Sequence, residues 1–97
     1  MIAVAGGGAF GTALAVALAL DGKSVTLWAR DPIAVKTMQD TRQNPRLPDI
    51  TLPAPIIVTN DLDNLFAADI ILLATPAQTL RGFLTEHADH LAGKSLI

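Results

Sequence analysis

The chain has 97 residues, of which 51% are hydrophobic and 16% charged, with a formal net charge of −2. This length allows one small domain, and the apolar content is that of a globular chain rather than a disordered one. The absence of cysteine excludes a disulfide framework, a thiolate metal site and a cysteine nucleophile, the absence of a basic run argues against nucleic acid as the main partner, and a cytoplasmic setting agrees with both.

The first twenty residues join an apolar run to a glycine turn and then to a run of small residues. Ile2–Ala5 predicts a buried parallel strand, and Ala9–Leu20 predicts a helix, which is too short to span a bilayer. Between them, Gly6, Gly8 and Gly11 match the G-x-G-x-x-G spacing, with a strand before and a helix after. The turn is therefore predicted to hold the pyrophosphate of a dinucleotide at the helix N-terminus, where unpaired N–H groups favour anions.

A second strand and a second helix follow the first pair. The second strand is expected over Ser24–Trp28, after the helix-ending glycine at position 22. Asp31 and Pro32 are typical of the N-cap and first position of a helix, which is expected to end near Gln43. Residues 44–55 contain four prolines, so a rigid, extended connection without a helix is predicted there.

The rest of the chain continues the alternation of strands and helices. Residues 56–59 predict a third strand, Asp61 begins a short helix, and residues 70–74 form the most apolar strand. A long helix is expected over residues 77–91, and the strand that begins at Ser95 is apparently truncated. The pattern predicts an α/β fold, a Rossmann-type doubly wound parallel sheet with strand order 3-2-1-4-5. Ending within an apolar strand suggests a fragment of a longer protein.

Polar residues at the carboxyl ends of the strands are the candidates for ligand contacts. Arg30 follows the second strand, where proteins strict for NAD place an acidic residue, so we expect NADP(H) to be at least accepted alongside NAD(H). The alternative is that Arg30 pairs with Asp31 or with solvent, and Asp31 itself either caps the helix or binds a ribose. Pro76 and Gln78 follow the fourth strand and either border the ribose or nicotinamide or only begin a helix.

No residue of this chain is predicted to be catalytic, and no metal site is predicted. Lys23 and Lys94 precede strands and are expected at the opposite edge of the sheet. His87 and His90 have the spacing of two metal ligands on a helix, but no third ligand is evident, and solvated histidines late in a helix are the simpler interpretation. The sequence thus predicts a cofactor platform that lacks the group needed to protonate an alkoxide.

Four stretches together resemble a known family. Residues 2–15, 25–32, 44–48 and 76–81 look like the N-terminal domain of bacterial NAD(P)-dependent glycerol-3-phosphate dehydrogenase, and the resemblance covers the chain in order. The glycine turn is generic, whereas Trp-Ala-Arg-Asp-Pro and Asn-Pro-Arg-Leu-Pro are much more specific. The resemblance implies hydride transfer between glycerol 3-phosphate and dihydroxyacetone phosphate, which usually supplies phospholipid synthesis.

The resemblance also assigns roles to single residues. It implies that Ala9 and Phe10 contact the cofactor and that Arg30 lies near the adenosine end. Position 9 is often serine in the family, and many members have an aromatic residue between the positions of Arg46 and Leu47, which this chain lacks. It further implies that residues 1–97 are an incomplete N-terminal NAD(P)-binding domain, inactive alone, with the catalytic lysine and a helical substrate domain beyond Ile97.

Two other functions stay open from the sequence. One is another dehydrogenase of the same fold, resembling ketopantoate reductase or 6-phosphogluconate dehydrogenase. The other is a non-catalytic nucleotide-binding or regulatory module that is complete at Ile97. Neither the sequence pattern nor the resemblance decides whether the protein forms a homodimer, and no membrane span is predicted.

Overall fold

The fold is a parallel sheet with helices on both faces, seen in a computed structural model that describes residues 1–75 and 77–97, with only the backbone described for residues 77–80. The strands are β1 (Ile2–Ala5), β2 (Val25–Trp28), β3 (Gln43–Asn44), β4 (Leu47–Thr51), β5 (Ile56–Thr59), β6 (Ile70–Leu73) and β7 (Ser95–Leu96). The helices are α1 (Ala9–Leu20), α2 (Pro32–Thr41), α3 (Leu62–Phe66), α4 (Ala77–Glu86) and α5 (Ala88–Leu91).

The main sheet has five parallel strands in the order β5-β2-β1-β6-β7. Because β3 and β4 form a separate pair, β5, β6 and β7 are the third, fourth and fifth strands of the predicted sheet, and the predicted order 3-2-1-4-5 is confirmed. Strand β1 lies in the centre, with Val4 opposite Leu27 on one side and Leu72 on the other. This register brings the carboxyl ends of β1, β2 and β6 to one edge.

Each face of the sheet has its own apolar core, which is why the central strands are apolar throughout. On one face, Val4 and Leu27 pack against Ala15 of α1 and Met38 of α2. On the other face, Ala3, Ala5 and Ile71 pack with residues of α3, α4 and α5, among them Leu65, Phe83 and Leu91. The alanines of α1 let that helix approach the strands closely, and the doubly wound architecture expected from the sequence is confirmed.

The helix ends that carry clear sequence signals lie where they were predicted. The Asp31 carboxylate accepts a hydrogen bond from the backbone N–H of Ile33 at 2.9 Å, so Asp31 caps α2. Asp61 caps α3 in the same way, by accepting from the N–H of Asp63 at 2.9 Å. Gly22, just after α1, has a φ of 87°, the left-handed conformation expected of a helix-ending glycine.

Two predicted elements differ from the structure. The expected extended connection over residues 44–55 instead contains the antiparallel β3–β4 hairpin, in which Gln43 pairs with Thr51 and Asn44 with Leu47. The expected long helix over residues 77–91 is broken at His87, whose backbone leaves the helical conformation with φ −112° and ψ 21°. The His87 ring lies 4.9 Å from the ring of Phe83, one turn earlier in α4, and 5.4 Å from that of Phe66 in α3, so the break coincides with a contact to another helix.

Candidate dinucleotide site

A cavity opens where the carboxyl ends of β1, β2 and β6 meet. Its volume is about 740 Å³, and its wall includes residues 6–10, 28–31, 44–46 and 73–75. Ligand sites in open parallel sheets lie in this crevice, outside the carboxyl ends of the strands, and small-molecule sites commonly measure about 300–1,000 Å³. The cavity thus has the position and the size of a cofactor site.

The glycine turn forms one wall of this cavity and connects β1 to α1. Gly6 has a φ of 139°, and its N–H donates to the carbonyl of Trp28 at 2.8 Å, which ties the turn to the end of β2. A side chain on Gly6 would meet the backbone oxygen of Ala74 at 2.6 Å. The left-handed conformation and the close approach of β6 therefore both require glycine here.

Gly8 is the N-cap of α1, and it has more space around it than the other glycines of the turn. Its side-chain direction is open, since the nearest heavy atom to a built Cβ would be Nη1 of Arg46 at 3.9 Å. No side chain caps the helix, and no acidic residue lies in its first turn. The first backbone N–H groups of α1 are thus left for an anion, and the space that a Cβ would take is available to a diphosphate.

At the end of β6, the hydroxyl of Thr75 provides a further sign of a ligand. Thr75 lines the cavity, and its Oγ1 is buried without a hydrogen-bond partner among the residues that the structure describes. Buried polar atoms are usually paired, so an orphaned hydroxyl on a cavity wall fits a site that receives a polar ligand group. The uncapped N-terminus of α1 and the Thr75 hydroxyl on the same cavity wall thus fit a polar, anionic ligand such as a dinucleotide.

Arg30 and Asp31 follow β2 and line the cavity together. The carboxylate of Asp31 is used in the α2 cap, which confirms capping as its role. The Arg30 side chain is exposed, and no ion pair between Arg30 and Asp31 occurs in the described part of the chain. The guanidinium of Arg30 is therefore available at the cavity mouth, and the alternative in which it pairs with Asp31 is not what the structure shows.

The predicted site residues fall into three groups in the structure. Five of them line the cavity, namely Gly6, Gly8, Ala9, Phe10 and Arg30. Gly11 lies behind the turn rather than on the cavity wall, and it is buried against Gly6. Pro76 lies outside the described residues, and Gln78 lies in α4 with its side chain also outside that description.

The structure adds a segment that the analysis of the sequence did not assign to the site. Asn44, Pro45 and Arg46 at the tip of the β3–β4 hairpin line the cavity beside the glycine turn, where Asn44 Nδ2 donates to the carbonyl of Gly7. A signal was present, because Asn-Pro-Arg-Leu-Pro is one of the stretches that carry the family resemblance. That stretch did not indicate where its residues would lie in the fold. Residues 44–55 were expected to be extended, and an extended segment does not predict that the chain turns back toward the glycine turn.

The remaining ionisable candidates lie away from the cavity. Lys23 donates to Asp21 at 2.5 Å, and this hydrogen bond lowers the pKa of the Asp21 carboxyl. Both residues precede β2, at the edge of the sheet opposite the cavity, and Lys94 precedes β7 at the same edge. No group of three or more potential metal ligands occurs in the part of the chain that the structure describes.

The two histidines pack on aromatic rings near the end of α4. The ring of His90 stacks on Phe66 with centroids 4.9 Å apart, and the side chain of His87 is only 14% exposed. The interpretation as solvated or C-terminal helix histidines thus holds for His87 only in its second form, because His87 lies at the C-terminal end of α4 with its ring packed against Phe66 and Phe83. Separately, no helix among the described residues is long and apolar enough to cross a membrane.

Comparisons with known proteins agree with this geometry. The family model described as NAD-dependent glycerol-3-phosphate dehydrogenase N-terminus matches residues 1–97. Glycerol-3-phosphate dehydrogenase [NAD(P)+] of Bradyrhizobium diazoefficiens is 50% identical over 91 residues, which are 94% of this chain and 28% of that protein. The enzyme of the same name from Roseobacter denitrificans is 48% identical over 97 residues, which are 99% of this chain and 30% of that protein.

A solved structure extends the similarity to the fold. The crystal structure of glycerol-3-phosphate dehydrogenase from Coxiella burnetii matches with a TM-score of 0.89 and 31% identity, over 98% of this chain and 30% of that one. The chain thus spans about 30% of the length of such relatives. Because the family model and these relatives cover nearly all of its residues, the chain belongs to the family of the NAD-dependent glycerol-3-phosphate dehydrogenase N-terminus.

Proposed function

We propose that residues 1–97 are the N-terminal NAD(P)-binding domain of a glycerol-3-phosphate dehydrogenase and that they bind the dinucleotide in the cavity at the carboxyl edge of the sheet. The observation that carries the proposal is the open face of Gly8. The N-cap of α1 has no side chain on it, and the first N–H groups of the helix face a cavity of about 740 Å³. Such a helix N-terminus attracts negative charge.

The proposed contacts with the dinucleotide are assigned from the residues that line the cavity. The diphosphate rests against the backbone of Gly8, Ala9 and Phe10, while Gly6 and Gly11 give the turn its shape. Ala9 contributes its backbone N–H and no hydroxyl. Phe10 is 68% exposed on the cavity wall, an unusual position for a large apolar side chain that a bound cofactor would cover. Arg30 serves the adenosine end.

The reaction of the whole protein is proposed from the named activity of its relatives. We propose that it interconverts glycerol 3-phosphate and dihydroxyacetone phosphate in the cytoplasm, as a step in supplying phospholipid precursors. The nicotinamide, when bound, accepts or donates the hydride. The residues described here bind and orient the cofactor, and the acid or base is proposed to come from a catalytic lysine outside residues 1–97, together with a substrate domain.

Because the cofactor site is proposed to lie within residues 1–97 and the catalytic lysine outside them, the 97-residue chain is expected to bind the cofactor without catalysing the reaction. Titration with NADPH should give saturable quenching of the fluorescence of Trp28, the one tryptophan of the sequence, which lines the cavity. The same preparation, given dihydroxyacetone phosphate and NADPH, should show no loss of absorbance at the nicotinamide band. Absence of saturable binding would contradict the proposed function, whereas measurable turnover would mean that residues 1–97 contain a catalytic acid.

Arg30→Ala is expected to weaken NADPH binding more than NADH binding. A charge-assisted hydrogen bond contributes about 1.5–3 kcal/mol, and the exposure of Arg30 favours the low end, so the Kd for NADPH should rise about tenfold. The Kd for NADH should change much less, because NADH lacks the 2′-phosphate. Both constants are measured by Trp28 fluorescence, with Lys94→Ala at the opposite edge as the control for lost charge. Equal losses for the two cofactors would remove the assignment of Arg30 to the 2′-phosphate.

A further inference from the structure

The side chain of Asn44 fixes the β3–β4 hairpin to the glycine turn. Its Nδ2 donates to the carbonyl of Gly7 at 2.9 Å and to the hydroxyl of Thr12 at 2.7 Å. Its Oδ1 accepts from the backbone N–H of Arg46 at 3.0 Å. Asn44 is only 5% exposed, so both of its donor hydrogens and its acceptor are used inside the protein. This side chain therefore sets the distance between the hairpin tip and the start of α1.

Arg46 is carried by that tip to the cavity wall that faces Gly8. Its Nη1 lies 3.9 Å from the position that a Cβ on Gly8 would take. The side chain is exposed, and in the described ranges 1–75 and 77–97 the guanidinium forms no ion pair. A cation is thus held beside the space in which the open face of Gly8 receives a ligand.

We propose that Arg46 is a diphosphate-binding residue, which adds a cation beside the open face of Gly8 at the N-terminus of α1. The inference rests on the proposed function, since it needs a dinucleotide in the cavity. A diphosphate against Gly8 lies between the helix N–H groups and the Arg46 guanidinium, whose planar donors suit phosphate oxygens. The two arginines then have different tasks: Arg30 distinguishes NADPH from NADH, and Arg46 holds the part that the two cofactors share.

In this proposal the β3–β4 hairpin is part of the cofactor site and does more than connect α2 to β5. Asn44 acts as a positioning residue, because it bonds the glycine turn on one side and the backbone of Arg46 on the other. The proposal therefore makes separate predictions for Arg46 and for Asn44.

Arg46→Gln is expected to raise the Kd values for NADPH and NADH by the same factor, about tenfold. ADP-ribose, which keeps the diphosphate and lacks nicotinamide and 2′-phosphate, should lose affinity by the same factor. All three are titrated against the 97-residue chain by Trp28 fluorescence. Lys94→Gln removes the same charge at the opposite edge of the sheet and should bind all three ligands like the unchanged chain.

The outcomes separate this inference from the proposed function. If the unchanged chain binds neither NADPH nor NADH, the proposed function fails. If the unchanged chain binds both and Arg46→Gln matches Lys94→Gln, the cofactor site stands and the role of Arg46 is refuted. A loss confined to NADPH would also overturn the inference, because it would place Arg46 at the 2′-phosphate. Arg46 is exposed, so its replacement should leave the thermal midpoint nearly unchanged.

A double-mutant cycle tests whether Asn44 acts through Arg46. Asn44→Ala should weaken NADH binding in the unchanged chain and have a smaller effect once Arg46 is glutamine, since residues that act as a unit are not additive. A purely structural role of Asn44 predicts the same loss in both backgrounds and would refute its positioning role. Circular dichroism of each variant shows whether the sheet and helices are retained, and the cycle is read on folded variants.

Discussion

Replacing Gly8 with valine is expected to abolish dinucleotide binding and to leave the fold intact. The two effects separate because the side-chain direction of Gly8 is open to the cavity, with Arg46 Nη1 at 3.9 Å as the nearest atom. The backbone of Gly8, with φ −75° and ψ −176°, is extended and accepts any residue. A valine fits the protein but occupies the space where the diphosphate approaches the N–H groups of α1.

The expected loss of NADPH affinity in Gly8→Val depends on how many backbone hydrogen bonds the diphosphate can no longer form. A Cβ with two methyl groups keeps the phosphate out of hydrogen-bond reach of several backbone donors, and we expect the Kd for NADPH to rise at least about 100-fold, or about 2.7 kcal/mol. The fold should lose only about 1 kcal/mol, because valine is a poorer N-cap than glycine. Trp28 fluorescence measures the first quantity, and thermal unfolding followed by circular dichroism measures the second.

Gly82→Val provides the matched control for that experiment. Gly82 lies in α4, outside the cavity wall, and among the residues that the structure describes no heavy atom lies within 4 Å of a Cβ built on it. The same exchange there should leave cofactor titration unchanged. If Gly8→Val bound NADPH as well as Gly82→Val does, the diphosphate would not lie against the glycine turn, and the proposed location of the cofactor would be wrong.

Sequence signals were sufficient wherever a single residue type decides the local structure. The glycine spacing predicted the turn between β1 and α1, and Asp31 followed by Pro32 predicted the start of α2. Strand order followed from the alternation of strands and helices together with that turn. Each of these signals is local, and it acts through backbone conformation or through a cap within a few residues.

The hairpin could not be predicted because its pairing depends on distant residues. Gln43 pairs with Thr51, and the neighbouring Asn44 is bonded to Gly7 and Thr12, more than 30 positions earlier in the chain. Arg42 adds a second anchor, donating to the carbonyls of Pro53 at 2.7 Å and Ile56 at 2.8 Å. Prolines correctly excluded a helix there, but they are also allowed in edge strands, so composition could not distinguish a hairpin from an extended connection.

The break between α4 and α5 also could not be predicted from the local sequence. Neither glycine nor proline marks His87, and the residues around it are compatible with one continuous helix. At the break the His87 ring packs against Phe66 of α3, a contact between elements that helix propensity does not report. The same distinction explains why Gly6, Gly8 and Arg30 could be predicted from the sequence to lie at the cavity, whereas Arg46 could not.

Replacing Gly11 with alanine is expected to destabilise the fold itself, although only one methyl group is added. A Cβ on Gly11 would lie 2.1 Å from the backbone oxygen of Gly6 and 3.2 Å from the Cβ of Ala74. The backbone of Gly6 cannot move aside, because its N–H is bonded to Trp28 at 2.8 Å and its own side-chain direction faces β6. Helix α1 must therefore shift away from β1, at the expense of the Ala15 contacts in the core.

We expect Gly11→Ala to lower the free energy of unfolding by about 2 kcal/mol or more, which overpacking costs in a tight core. For a chain of this length that corresponds to a fall in Tm of roughly 8–16 °C. Gly82→Ala makes the identical exchange within a helix where nothing is crowded, and alanine should there add up to about 1 kcal/mol through helix propensity. Equal midpoints for the two variants in thermal or urea unfolding would show that α1 does not approach the turn as closely as described. A fall confined to Gly11→Ala would instead establish that the third glycine serves packing, while Gly8 serves the ligand.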